Sequence, residues 1–218
     1  MMSEREAHNE ETRLAVQFED IARQEHAVRF GMWVFLGSEL LLFAGLFALY
    51  SGYRSLYSAE FAKALHHNAL ALGSINTVVL IVSSFTVAWS IHALRGGRRR
   101  TTLWMLALTM TLGATFLVLK GVEYADHFSH GIFPGKYYTF AELPSHGAQL
   151  YFTLYYFMTG LHAIHMIVGL CLMAWLTSRV VRRRTTAARH GELELGALYW
   201  HLVDSIWIFL WPMFYLAG

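Results

Sequence analysis

Five long apolar blocks decide what this chain can fold into. They cover residues 30–50, 70–94, 103–119 (continuing through Lys120 and Glu123 to Tyr124), 150–177 and 195–218. A helix crossing a hydrocarbon core of about 30 Å needs about 20 apolar residues at a rise of about 1.5 Å each. Every block meets that length. Isolated strands are excluded, because backbone polar groups in lipid must find partners within the segment or in a closed barrel. The blocks are also too long and too evenly apolar for barrel strands. The expected fold is therefore an all-α membrane protein, a bundle of five transmembrane helices.

Composition agrees. Of the 218 residues, 56% are hydrophobic and 15% charged, against about 25% charged in soluble domains. A net charge of +2 without a clustered basic surface gives no case for nucleic acid. Seven Trp, eleven Tyr and fifteen Phe suit aromatic belts at two interfaces. The single cysteine, Cys171, lies inside an apolar block and reads as a packing residue. No cleavable signal is evident, since residues 1–26 are polar and acidic. This tail is read as cytoplasmic, and residues 27–218 as the membrane domain. Leu14, Phe18, Ile21 and Val28 fall near helical spacing, which suits a short interfacial helix as well as a solvated tail.

Charge sets the orientation. Arg5, Arg13, Arg23 and Arg29 precede the first block. Arg95, Arg98, Arg99 and Arg100 join the second to the third, and Arg179, Arg182, Arg183, Arg184 and Arg189 join the fourth to the fifth. The opposite side carries Arg54, Lys63 and Lys136, with Lys120 at a helix end. The positive-inside rule then places the N-terminus in the cytoplasm and the C-terminus outside. The external loop 125–147, with Gly131, Pro134, Gly135 and Pro144, is expected to be irregular.

Ionisable side chains at membrane depth are expensive and mark candidate sites. They are Glu39, His162, His165, His201 and Asp204, which share a depth band on three helices, and Lys120 with Glu123. Lys120 and Glu123 are three residues apart and read most simply as an interfacial ion pair. His201 and Asp204, one turn apart, are expected to satisfy each other. His162 and His165 have the chemistry of metal or haem ligands. Their spacing matches no closed metal site well, and hydrogen bonding across the bundle is the simpler reading. Glu39 in FLGSELLLF has no local counter-ion. Its natural partner is His165 or His162, directly or through one water. Asn76, Ser83, Ser84 and Thr86 read as helix-packing polar residues.

Five strings in these blocks carry a resemblance. GMWVFLGSELLLFAGLF (31–47), SINTVVLIVSSFTVAW (74–89), LKGVEYADHF (119–128), MTGLHAIHMIVG (158–169) and YWHLVDSIWIFLWPMFYL (199–216) resemble, in order, motifs of haem–copper cytochrome oxidase subunit III. The last, with Trp-His-x-x-Asp-x-x-Trp, is the most specific. Many members have seven helices; this chain resembles the bacterial five-helix form. The lead-in, residues 17–33, also looks bacterial, and Glu39 points toward the cytochrome c branch.

The resemblance implies a non-catalytic core subunit of a proton-pumping terminal oxidase that passes electrons from cytochrome c to O2 in the bacterial inner membrane. Such a subunit packs on subunit I, shares a complex with subunit II, binds phospholipid and supports proton uptake. Haem and copper reside in the partner subunits and none in this chain. Trp33, Phe43 and Trp89 are guesses for a lipid cleft between spans one–two and three–five. Rival readings are an accessory subunit of a quinol oxidase or nitric-oxide reductase, a free-standing proton or ion transporter, and a haem-binding membrane cytochrome.

Overall fold

The computed structural model describes residues 20–187 and 190–216. Of the expected interfacial helix, Leu14 and Phe18 lie outside these residues, whereas Ile21 and Val28 fall within the first long helix. Six α-helices are present among the described residues: α1 (Ile21–Leu56), α2 (Ser58–Leu65), α3 (Leu70–Arg95), α4 (Arg99–Ser129), α5 (His146–Val181) and α6 (Gly191–Tyr215). All but α2 are long and apolar enough to cross a membrane. No strand occurs among the described residues. The chain divides into two units, Met1–Leu42 and Phe43–Gly218. The first contains the N-terminal half of α1, including Glu39.

The second unit holds the bundle. Helix α3 packs along α4 and α6, and α5 packs on α4, α6 and the short α2. A lipid cleft was expected between spans one–two and three–five. Of its three guessed lining residues, Phe43 is completely buried and meets His165 edge-on at a centroid distance of 5.4 Å. Trp33 and Trp89 are exposed.

Helices in lipid gain little from the hydrophobic effect and associate through close packing and interhelical hydrogen bonds. Both are visible. Glycines admit large rings: a Cβ on Gly73 would fall 2.8 Å from the Tyr215 ring, and one on Gly113 2.7 Å from Trp200. Thr86 and Thr109 share a 2.7 Å hydrogen bond between α3 and α4. Trp207 Nε1 donates to Thr77 Oγ1 on α3 at 3.0 Å.

The two ends differ in construction. At the arginine-rich end the α3–α4 turn passes through Gly97 at φ +70°, a left-handed conformation open to glycine. Arg99 donates to the carbonyl oxygens of Val180 (3.0 Å) and Val181 (2.5 Å), which lie in the last turn of α5, beyond the regular i to i+4 bonding of the helix. Arg95 pairs with Glu194, and Arg179 with Glu192 at 2.6 Å. These contacts bring the two arginine-rich connections to one end of the bundle, as the alternation of charge requires.

At the other end, α2 was not foreseen as a helix. Its Phe61, Ala64 and Leu65 are buried, and its Glu60 accepts from Gly147 N at 2.6 Å. That carboxylate meets the unpaired amides at the start of α5, where negative charge is favourable. Ser145 caps the same helix, accepting from Ala148 N at 3.3 Å. Helix α4 runs on to Ser129, beyond the expected end at Tyr124. Residues 130–145 then form an irregular loop with one 3-10 turn (Gly135–Tyr137), as the Gly and Pro content suggested.

Candidate functional site

The most elaborate polar site lies inside the second unit, centred on Lys120 of α4. Its ammonium donates to Glu123 Oε2 at 3.0 Å, Tyr155 OH at 2.8 Å and Tyr215 OH at 3.0 Å. Tyr215 OH in turn donates to Glu123 Oε1 at 2.6 Å. All three ammonium donors and both carboxylate oxygens therefore have partners. Rings enclose the cation: it lies 4.7 Å from the Tyr155 centroid and 5.4 Å from that of Trp207, within cation–π range.

Sequence spacing placed Lys120 and Glu123 together, and they are. The expected setting was wrong. Their side chains are 4% and 1% exposed, so this is a buried pair and no snorkelling surface pair. The three-residue spacing gives the i, i+3 contact; Tyr155 from α5 and Tyr215 from α6 supply what removal from water demands.

A second layer of polar contacts adjoins it. Asn68 Nδ2 donates to Tyr151 OH and to Phe214 O, both at 2.8 Å, and Tyr151 OH donates to Phe214 O at 3.0 Å. Tyr50 OH donates to Met213 O at 2.7 Å. These groups serve carbonyls in the last turn of α6, which have no helical donor. Tyr124 and Thr159 join α4 to α5 at 2.6 Å.

The histidines have other surroundings. His162 is fully buried, packed at 5.4 Å from Phe116 and 5.3 Å from Trp207 between ring centroids. Neither of its ring nitrogens has a hydrogen-bond partner. Hydrogen bonding across the bundle, expected for both histidines, does not hold for His162, which fills space among aromatic rings. His165 Nδ1 lies 2.8 Å from Leu161 O of its own helix. Among the described residues no three His, Cys, Asp or Glu side chains converge as a metal-binding group.

His201 and Asp204 do not satisfy each other. His201 Nδ1 lies 2.6 Å from Ser84 Oγ, and Ser83 Oγ donates to Asp204 Oδ2 at 3.5 Å. Each residue of α6 thus turns to a serine of α3. Asp204 Oδ1 is buried without a partner. The single depth band read from sequence therefore resolves into separate environments: His162 among aromatic rings, and His201 with Asp204 along the α3–α6 seam. Glu39 belongs to the first unit.

Comparison with known proteins gives a consistent picture. A family model described as cytochrome c oxidase subunit III matches residues 16–218. Cytochrome c oxidase subunit 3 of Pelomedusa subrufa is 31% identical over 202 residues, covering 89% of this chain and 71% of that protein. The same subunit of Gadus morhua is 29% identical over 200 residues, and that of Salmo salar 30% over 202, with the same coverage of each chain.

Proposed function

Because the chain belongs to the cytochrome c oxidase subunit III family, we propose that it is a non-catalytic core subunit of a proton-pumping oxidase, stabilising subunit I and supporting proton uptake. It shares the complex with subunit II, and haem and copper belong to the partner subunits. Phospholipid binds to it within the complex. The N-terminus faces the cytoplasm of a bacterial cell and the C-terminus faces outward.

The observation that carries the reading is the use made of polar side chains in the bundle. Lys120, Glu123, Tyr155 and Tyr215 satisfy one another across three helices. Buried polar groups spent on one another hold helices in place, which suits a scaffold for a neighbouring subunit. Affinity purification of the full chain from its native membranes tests this. Haem absorbance and cytochrome c oxidase activity are expected to copurify in fixed proportion, and the chain dissociated from its partners is expected to be colourless. Recovery without any haem-bearing partner, or stoichiometric haem in the dissociated chain, overturns the reading.

Glu39 enters the same proposal as an intramembrane carboxyl of the first unit, since a carboxyl in an apolar span is stable only when neutral, paired or hydrogen-bonded. Glu39→Gln keeps hydrogen-bonding capacity and is expected to leave assembly largely intact. Glu39→Leu is expected to lower the yield of assembled complex, because it removes that capacity. Equal yields from all three proteins on native gels would remove this role for Glu39.

A further inference from the structure

The seam between α3 and α6 contains an unfinished polar site. A groove of about 330 Å³ is lined by Leu80, Ile81, Ser84, Phe85, Asp204 and Ile208, with Ser205 beside them. Its rim is apolar and exposed: Ile81, Phe85 and Ile208 are 53%, 62% and 49% accessible. Within it sits Asp204, 4% exposed, held by Ser83 at a long 3.5 Å and by Ser84 beside it, with its Oδ1 unpartnered. The adjoining hydroxyl of Ser84 is engaged with His201, and that of Ser205 donates to the His201 carbonyl at 2.7 Å.

We infer that this groove is the docking site for a transmembrane helix of a neighbouring oxidase subunit, which inserts a hydrogen-bond donor toward Asp204. The inference rests on the subunit reading above and specifies which face of the bundle meets the partner.

Depth decides the class of occupant. Helix α6 has 25 residues, and at about 1.5 Å per residue Asp204 lies about 20 Å from its start and about 16 Å from its end. Its carboxyl is therefore near the middle of the span. Phospholipid head groups lie at the edges of a core about 30 Å thick, about 15 Å away. An acyl chain reaches the middle but offers no donor. A carboxyl at this depth costs free energy unless it is hydrogen-bonded. A polar side chain on a partner helix is the occupant that brings a donor and covers the apolar rim. The groove holds about ten times the ~30 Å³ share of one water, enough for an inserted side chain.

The test uses the complete complex in its native membranes, with a benzophenone amino acid in place of Phe85 and, as a control, in place of Ile164, an exposed residue of α5. Illumination is expected to join the Phe85 probe to a second polypeptide of the oxidase in higher yield than the Ile164 probe. Adding Asp204→Leu is expected to lower that yield about fivefold, whereas Asp204→Asn, which still accepts a hydrogen bond, keeps most of it. An intact, haem-containing complex in which the Phe85 probe reacts only with lipid, or no more with protein than the Ile164 probe, overturns the docking site and leaves the subunit reading standing. A chain that copurifies with no haem-bearing partner overturns both.

Discussion

Lys120→Met is expected to destabilise the protein by about 3–5 kcal/mol, the usual loss when one member of a buried ion pair is removed. The carboxylate of Glu123 is 1% exposed and cannot turn to water once its cation is gone. Tyr155 OH loses its ammonium donor, and Tyr215 OH loses one of its partners while keeping its bond to Glu123. Glu123→Leu alone is expected to be comparably harmful, because the ammonium is left inside a ring of aromatic side chains.

The double variant separates the pair from its surroundings. With both charges gone the desolvation penalty disappears with the attraction, and well-packed apolar replacements of a buried pair are often neutral. A double variant close to neutral requires a coupling energy larger than the cost of either single substitution, about 3–5 kcal/mol or more, and is then more stable than either single one. Unfolding of the four proteins by SDS in mixed micelles reads the cycle. Single variants within about 1 kcal/mol of the parent would place the pair in contact with water, contrary to the burial described here.

This network also shows how far the sequence could be read. The five spans were legible because lipid leaves the backbone few choices, and length and hydropathy record them directly. The Lys120–Glu123 contact was legible because it is local, set by one helix turn. Their burial was not, because it depends on Tyr155 and Tyr215, which are 35 and 95 residues from Lys120. Nothing in a uniformly apolar helix says which face turns inward.

The same gap explains the His201–Asp204 error. One-turn spacing permits a pair, but Ser83 and Ser84 on a neighbouring helix compete for it. Helix α2 was missed for a related reason: SAEFAKAL is too short for a span and is stabilised by burying Phe61 and Leu65 and by its Glu60 contact with α5.

Trp200→Ala is expected to cost about 3–5 kcal/mol, in the range for truncating a fully buried Trp. The indole is completely buried and ties three helices to α6. Its Nε1 donates to Ser83 Oγ on α3 at 3.1 Å. Its far edge lies where a Cβ on Gly113 of α4 would be, 2.7 Å from Cη2, and the Cε3–Cζ3 edge of the same six-membered ring is 3.2 Å from the equivalent position on Gly169 of α5. Apolar transfer adds little inside a bilayer, so the loss comes from dispersion contacts and the cavity left behind. Trp200→Phe keeps part of the ring and is expected to lose less.

The contact predicts its converse. Gly113→Ala pushes a methyl group into Trp200 and to within 3.1 Å of Leu170 Cδ2, an overpacking worth about 1–3 kcal/mol of destabilisation. Gly121→Ala on the same helix meets nothing within 4 Å, and helix propensity alone favours it by up to about 1 kcal/mol. The two glycine substitutions should therefore move SDS unfolding in opposite directions. Joining Gly113→Ala to Trp200→Phe should cost less than the sum of the two, since the smaller ring yields the space. Equal behaviour of Gly113→Ala and Gly121→Ala would mean that α4 and α6 do not approach closely at Trp200.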